Sequence, residues 1–188
     1  MPHTSVPVLG VPEASPVAVV PYEAMPSTLQ EELAPRVRRL GYLGGFFGLA
    51  AHQPDALLHF TRFTETLKAA LPEGLSDLVA LAAAAGNPYE VVQHIRLART
   101  HGRPDSWIRA VTEGRPGGDM NPGEQEVLAL VLTVRDGANA GAQLRAVVAR
   151  LGEPAAVAIL LLLGRYVAHG LVSHALGLGP PVPLDPPL

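Results

Sequence analysis

Proline placement is the strongest constraint on how this 188-residue chain can fold. Six of its 19 prolines lie in residues 1–26 and five more in residues 180–188. Proline lacks the backbone N–H that helix interiors and central strands require, so neither end can be helical throughout. The chain divides into an extended N-terminal arm, 1–26, a single domain, 27–179, and a Pro-rich tail, 180–188. The arm holds the apolar pieces VPVLGVP and VAVVP, which can pack on the same subunit or on a neighbour.

The eight remaining prolines mostly mark helix starts. Asn121 before Pro122 is a cap residue followed by a first-turn proline. Pro54, Pro72, Pro88, Pro104 and Pro154 stand where one apolar-periodic run gives way to another, and Gly102, Gly114 and Gly152 follow such runs. Every segment between these marks has helical periodicity. The first, LAPRVRRLGYLGGFFGLAAH, reads as one helix. The next places Leu57, Leu58, Phe60, Phe63 and Leu67 mostly on one stripe. LSDLVALAAAAG is nearly all apolar and therefore buried on most sides. Strand alternation is not sustained outside the arm. The expected fold is all-α, with about seven or eight helices.

Composition narrows the function. Net charge is -3 with both signs scattered, and no basic patch suggests a nucleic-acid partner. The longest apolar run, AAVAILLLL, ends at Gly164 and Arg165, too short for a bilayer-spanning helix. No Lys or Arg precedes an early apolar run, so no secretory signal is visible. A cytoplasmic protein without a membrane partner is expected. Apolar residues make up 48% and charged residues 16%; that surplus points to burial between subunits, hence a homo-oligomer. There is no cysteine. Disulfides, thiolate nucleophiles and thiolate metal sites are excluded together.

The chemistry concentrates in NPYEVVQHIRLARTHG, residues 87–102. Glu90 and His94 are four apart, so on a helix they share a face and can touch. Val91, Val92, Ile95 and Leu97 around them imply that part of this face is buried. A neighbouring carboxylate favours imidazolium and burial opposes it, a balance suited to general acid–base work near neutral pH. Tyr89 can add a hydroxyl. The alternative is a polar pair that only tidies a packed helix. Two ligands are too few for a catalytic metal site, and nothing in the sequence brings His169 or His174 to them, so no metal is expected. Arg165 and His169, also four apart, are either the border of a pocket or the polar edge of a packing helix. Trp107 reads as core or interface filling. The glycines of GYLGGFFG have helix-packing spacing, and no strand or Gly-Lys-Ser/Thr accompanies them, so they do not form a phosphate loop.

SDLVALAAAAGNPYEVVQHIRLARTHGRPDSWIRAVTEG resembles the core of the carboxymuconolactone decarboxylase and alkylhydroperoxidase D superfamily. The pattern is a buried Ala-rich helix, then Tyr89, Glu90, His94 and Ala98, then Gly102, Ile108 and Gly114. NPGEQEVLALVLTV is similar to the next core helix. AAHQPDALLHFTRFTETL is similar to the entry helices of longer members, and the likeness spans roughly residues 40–176. It implies an alkylhydroperoxidase D-like bundle that assembles as a dimer, trimer or hexamer. The peroxidase branch carries Cys-x-x-Cys-x-x-x-His; in register with His94, Asn87 and Glu90 occupy the cysteine positions. Peroxide reduction by that dithiol is excluded on chemical grounds. The decarboxylase branch carries Glu four residues before His. The resemblance therefore implies cofactor-free proton transfer on a small carboxylated substrate, of lyase or isomerase type, with His94 as proton donor and Glu90 orienting it. The decarboxylase's Tyr-Ala-Gly-Val-Pro segment is replaced here by LTVRDGANAG. Arg135 in that region is either a partner for a substrate carboxylate or a solvated helix-end arginine. Tyr89, Arg135 and His169 are the candidate substrate-binding residues. A peroxidase-like protein by descent and a non-catalytic oligomeric module are the alternatives.

Overall fold

The computed structural model describes residues 5–117 and 119–188; the first four residues of the expected arm lie outside them. Nine α-helices are present among the described residues: α1 (Ser27–Leu40), α2 (Gly45–Ala50), α3 (Pro54–Ala69), α4 (Leu75–Ala83), α5 (Pro88–Thr100), α6 (Asp105–Thr112), α7 (Pro122–Arg135), α8 (Gly141–Leu151) and α9 (Glu153–Ala175). Two short strands, β1 (Val8–Leu9) and β2 (Leu43–Gly44), pair in parallel.

The prolines act as expected at most boundaries. Pro54, Pro88, Pro122 and Pro154 all lie in first turns. At α7 the Asn121 side chain accepts from the Glu124 N–H, and the Glu124 carboxylate accepts from the Asn121 N–H, a closed capping box. Pro35 departs from the pattern and sits inside α1.

The segment read as one helix from residue 33 to 52 is broken. Gly41 ends α1 with φ +76°, a conformation natural to glycine alone, and the chain then runs extended as β2 before α2 begins. The glycines of GYLGGFFG do give close approach, but to the arm and to a tyrosine rather than to a second helix. A Cβ at Gly48 would lie 2.8 Å from Val8 Cγ1, and one at Gly44 would lie 2.7 Å from the Tyr89 hydroxyl. The arm thus packs on its own subunit. On α3, Leu57, Leu58 and Leu67 are buried as the periodicity predicts, whereas Phe63 is 40% exposed.

Two apolar clusters form the interior. The larger is built on α4, whose Leu78, Val79 and Leu81 are fully buried among side chains of α5 to α9, with Trp107 filling space beside them. The smaller joins the arm, α1, α2 and the start of α3. Tyr89, at the start of α5, belongs to the smaller cluster, and Ile95 and Ala98, further along, to the larger. The start of α5 and the middle of α9 therefore meet at the seam between the clusters, where a polar group can be buried without lying deep in either.

Candidate active site

Helix α5 begins by capping itself. The Asn87 side-chain oxygen accepts from the N–H of Tyr89 (3.0 Å) and of Glu90 (3.3 Å), two donors that helix geometry leaves orphaned. Its Nδ2 donates to the Gly170 carbonyl on α9 at 3.1 Å. Asn87 therefore starts one helix and ties it to another. At Gly170 a Cβ would crowd the same corner, 3.0 Å from Glu90 Oε1.

This clamp sets the partners of the next residues. Glu90 is 1% exposed, and its Oε2 lies 2.8 Å from Nδ1 of His169 on α9. The pairing expected within α5, Glu90 with His94, does not form: no hydrogen bond or ion pair joins them. The His94 ring instead meets Tyr166 edge-on, with centroids 5.0 Å apart. The physical reason is the crossing of α5 and α9. Both side chains lean towards α9, where His169 stands opposite Glu90 and Tyr166, one turn earlier, stands opposite His94. A buried carboxyl takes the polar group that packing places against it.

Burial pushes the Glu90 carboxyl up to about 7, against the downward pull of Arg165. The His169 ring, with Phe46 edge-on at 3.9 Å between centroids, is held well below the usual imidazole range by burial and then by Arg165 and Arg36. The two directions together describe a neutral carboxylic acid in contact with a neutral imidazole. The 2.8 Å contact is not aligned as a hydrogen bond: both Glu90 carboxyl oxygens and both His169 ring nitrogens are buried without a hydrogen-bond partner among the described residues. His94 is likewise held well below its usual range by burial and then by His169, Arg165, Lys68 and Arg36. Tyr89 uses its hydroxyl oxygen to accept the Phe46 N–H at 3.2 Å, and burial lifts its own ionisation to about 12.

These groups line one groove of about 980 Å³ between α1, α3, α5 and α9. Glu90, His94, Tyr89 and His169 all reach it. Arg135 does not. It lies at the end of α7 and donates through Nη1 to the Ala82 carbonyl at 3.0 Å, capping α4. Six cations among the described residues line the groove, Arg36, Arg39, Lys68, Arg96, Arg99 and Arg165; of these the sequence singled out only Arg165, as pocket border or polar edge of a packing helix. Arg165 had a legible signal, a charge set directly after the longest apolar run of the chain. Arg36 and Lys68 stand on ordinary amphipathic helices and had none. Among the described residues no group of three or more His, Asp or Glu is arranged to hold a metal ion.

The arrangement of helices is the fold of the alkylhydroperoxidase D core. It is similar to the crystal structure of an AhpD core, an uncharacterised peroxidase-related protein from Ralstonia eutropha JMP134, with a TM-score of 0.76 and 20% identity over 88% of this chain and 92% of that one. It is also similar to a protein of unknown function from Agrobacterium tumefaciens that carries an AhpD designation, with a TM-score of 0.64 and 19% identity over 71% of this chain and 96% of that one. No protein-family model matches the sequence, and no curated protein is significantly similar to it. At such identities the likeness establishes the fold, and chemistry has to be argued from the site.

Proposed function

We propose that this protein catalyses cofactor-free proton transfer, of lyase or isomerase type, on a small carboxylated organic substrate. One observation carries the reading: a buried carboxyl–imidazole pair, Glu90 and His169 at 2.8 Å, opens together with His94 into a groove large enough for such a molecule. Two titratable groups are pushed in opposite directions beside one cavity, Glu90 towards the protonated acid and His94 towards the neutral base. That division of roles is what a proton-moving site needs at neutral pH.

In an isomerisation, a ring nitrogen of His94 takes a proton from an activated C–H. The electron pair passes into the conjugated system, and Glu90 delivers its proton at the new carbon terminus. Solvent then reprotonates Glu90 and takes the proton from His94. In a decarboxylation, the electron pair left by departing carbon dioxide is protonated by Glu90 in the same way. His169, packed 2.8 Å from the acid, keeps it in a water-poor setting in which it stays protonated. These assignments differ from the expected ones, in which His94 donated the proton and Glu90 oriented it: here Glu90 is the acid and His94 the base.

The test is solvent-deuterium incorporation. The protein is incubated in D2O with a panel of unsaturated lactones and small carboxylic acids, and exchange or carbon dioxide release is followed by NMR. His94→Gln and Glu90→Gln should each slow the reaction by about a hundredfold or more with the fold intact. Undiminished exchange in the folded His94→Gln variant would sink the reading. The peroxidase-related and AhpD designations of the fold neighbours motivate a second reading, peroxide reduction by descent. Any such activity would have to run without a thiol, and peroxide consumption with no added thiol reductant would favour it. We also propose that the working form is a homo-oligomer built on the outer face of α9.

A further inference from the structure

Arg165 is 6% exposed, yet no carboxylate pairs with it among the described residues. Its guanidinium plane is held between the Phe60 and Tyr166 rings, 4.5 Å from each centroid, and Nε donates to Thr64 Oγ1 at 2.6 Å. An arginine has five N–H donors. One is used here, and the four on the terminal nitrogens are left at the groove, which Arg165 lines. Arg36 lines the same groove from α1, its guanidinium 4.4 Å from the Phe47 centroid, also without a carboxylate partner among the described residues. Lys68 is satisfied by Glu65 at 3.1 Å. Glu65 lies near enough to act on both arginines, but its carboxylate contacts Lys68, and neither guanidinium touches a carboxylate among the described residues. The free guanidinium edges at the groove are therefore open to a further anion.

We propose that Arg165 and Arg36 form the seat of the substrate's carboxylate, in the groove where Glu90 and His94 move protons. The proposal rests on the catalytic reading of that groove and replaces Arg135 as the carboxylate partner. A planar guanidinium edge matches a carboxylate fork. A phosphate would favour converging backbone N–H groups as well, but the groove is walled by helix flanks, and the N–H groups that open α5 are taken by Asn87. A bound anion also acts on catalysis. Arg165 and Arg36 disfavour imidazolium at His94, so neutralising them strengthens His94 as a base once substrate is in place.

The experiment uses benzoate as probe, benzamide as its neutral match and inorganic phosphate as a generic anion, all at constant ionic strength, read by calorimetry and by NMR of the histidine ring protons. Benzoate should bind and shift the His94 signals, with benzamide at least about tenfold weaker. Arg165→Gln and Arg36→Gln should each weaken benzoate about tenfold or more, and Glu90→Gln should leave it bound. Arg165→Gln removes a buried group; if that variant fails to fold, Arg36→Gln, on the half-buried wall, decides. Equal binding of benzoate and benzamide, unchanged benzoate affinity in the arginine variants, or phosphate competing as strongly as benzoate would each overturn the proposal. The two readings fail separately. Deuterium exchange with arginine-independent benzoate binding removes the subsite alone. Arginine-dependent benzoate binding without exchange on any substrate keeps the subsite and removes the catalysis.

Discussion

Glu90 releases its proton near 4.5 when the chain is unfolded and near 7 when it is folded, because burial disfavours the carboxylate. Between those values the folded chain holds more protons than the unfolded one. The group's contribution is therefore most favourable below about pH 4.5 and is lost as pH rises to about 7. His94 and His169 act with the opposite sign. Their folded values are depressed, so stability is full above their ordinary 6.5 and falls as pH drops below it. Glu90→Gln stays neutral throughout. Its stability relative to the natural chain should rise by about 3 kcal/mol from about pH 4.5 to about pH 7.5, as read by urea denaturation. Parallel stability curves for the two proteins would mean that Glu90 ionises normally. At this scale the sequence reveals that Glu90 and His94 share a helical face, since spacing of four is a local property. It does not reveal that His169 takes the carboxyl, because that depends on where α9 crosses α5.

Helix α5 shows how the element carries the site. Asn87 has structural work: it caps α5 and donates to α9. Asn87→Ala removes the cap and the interhelix bond together. A loss of about 2 kcal/mol is expected, more than a cap alone. Asn87→Asp keeps the cap oxygen and gives up the Nδ2 donor, so chemical denaturation should place it between the natural chain and Asn87→Ala. An Asp variant as unstable as the Ala variant would show that the tie to Gly170, and not the cap, is the main contribution. Helix boundaries of this kind are legible because Pro, Asn and Gly act on their own backbone. The break at residues 41–44 was not. There the chain leaves the helix to pair β2 with the arm, and strand pairing between distant segments leaves no periodic signal.

On the scale of the whole molecule, α9 has two faces with different tasks. Its inner face carries Arg165, Tyr166 and His169 into the groove. Its outer face leaves Val157, Leu161, Leu171 and Val172 exposed, Leu171 by 68%. A shallow apolar depression of about 310 Å³, lined by Phe46, Phe60, Ala168 and Val172 among others, adjoins that face. By length and composition α9 is apolar enough to cross a membrane, but half of its most apolar window is buried within the protein. Leaving the bundle would strip Arg165 and His169 of their surroundings and expose the core under α4, so the exposed stripe calls for an occupant that comes to the helix. A second copy of the chain fits, because a stripe repeating every turn on one helix can pack against itself across a two-fold axis. Light scattering behind size exclusion should then give a dimer or larger for the natural chain. Leu161→Lys combined with Leu171→Lys should shift it towards monomer with helicity unchanged, because charge on that face has no counter-ion in a self-packed stripe. A natural chain that is monomeric at micromolar concentration would remove the interface. Because α9 also positions His169 against Glu90, a monomeric variant that keeps deuterium exchange would further show that each groove works without its neighbour.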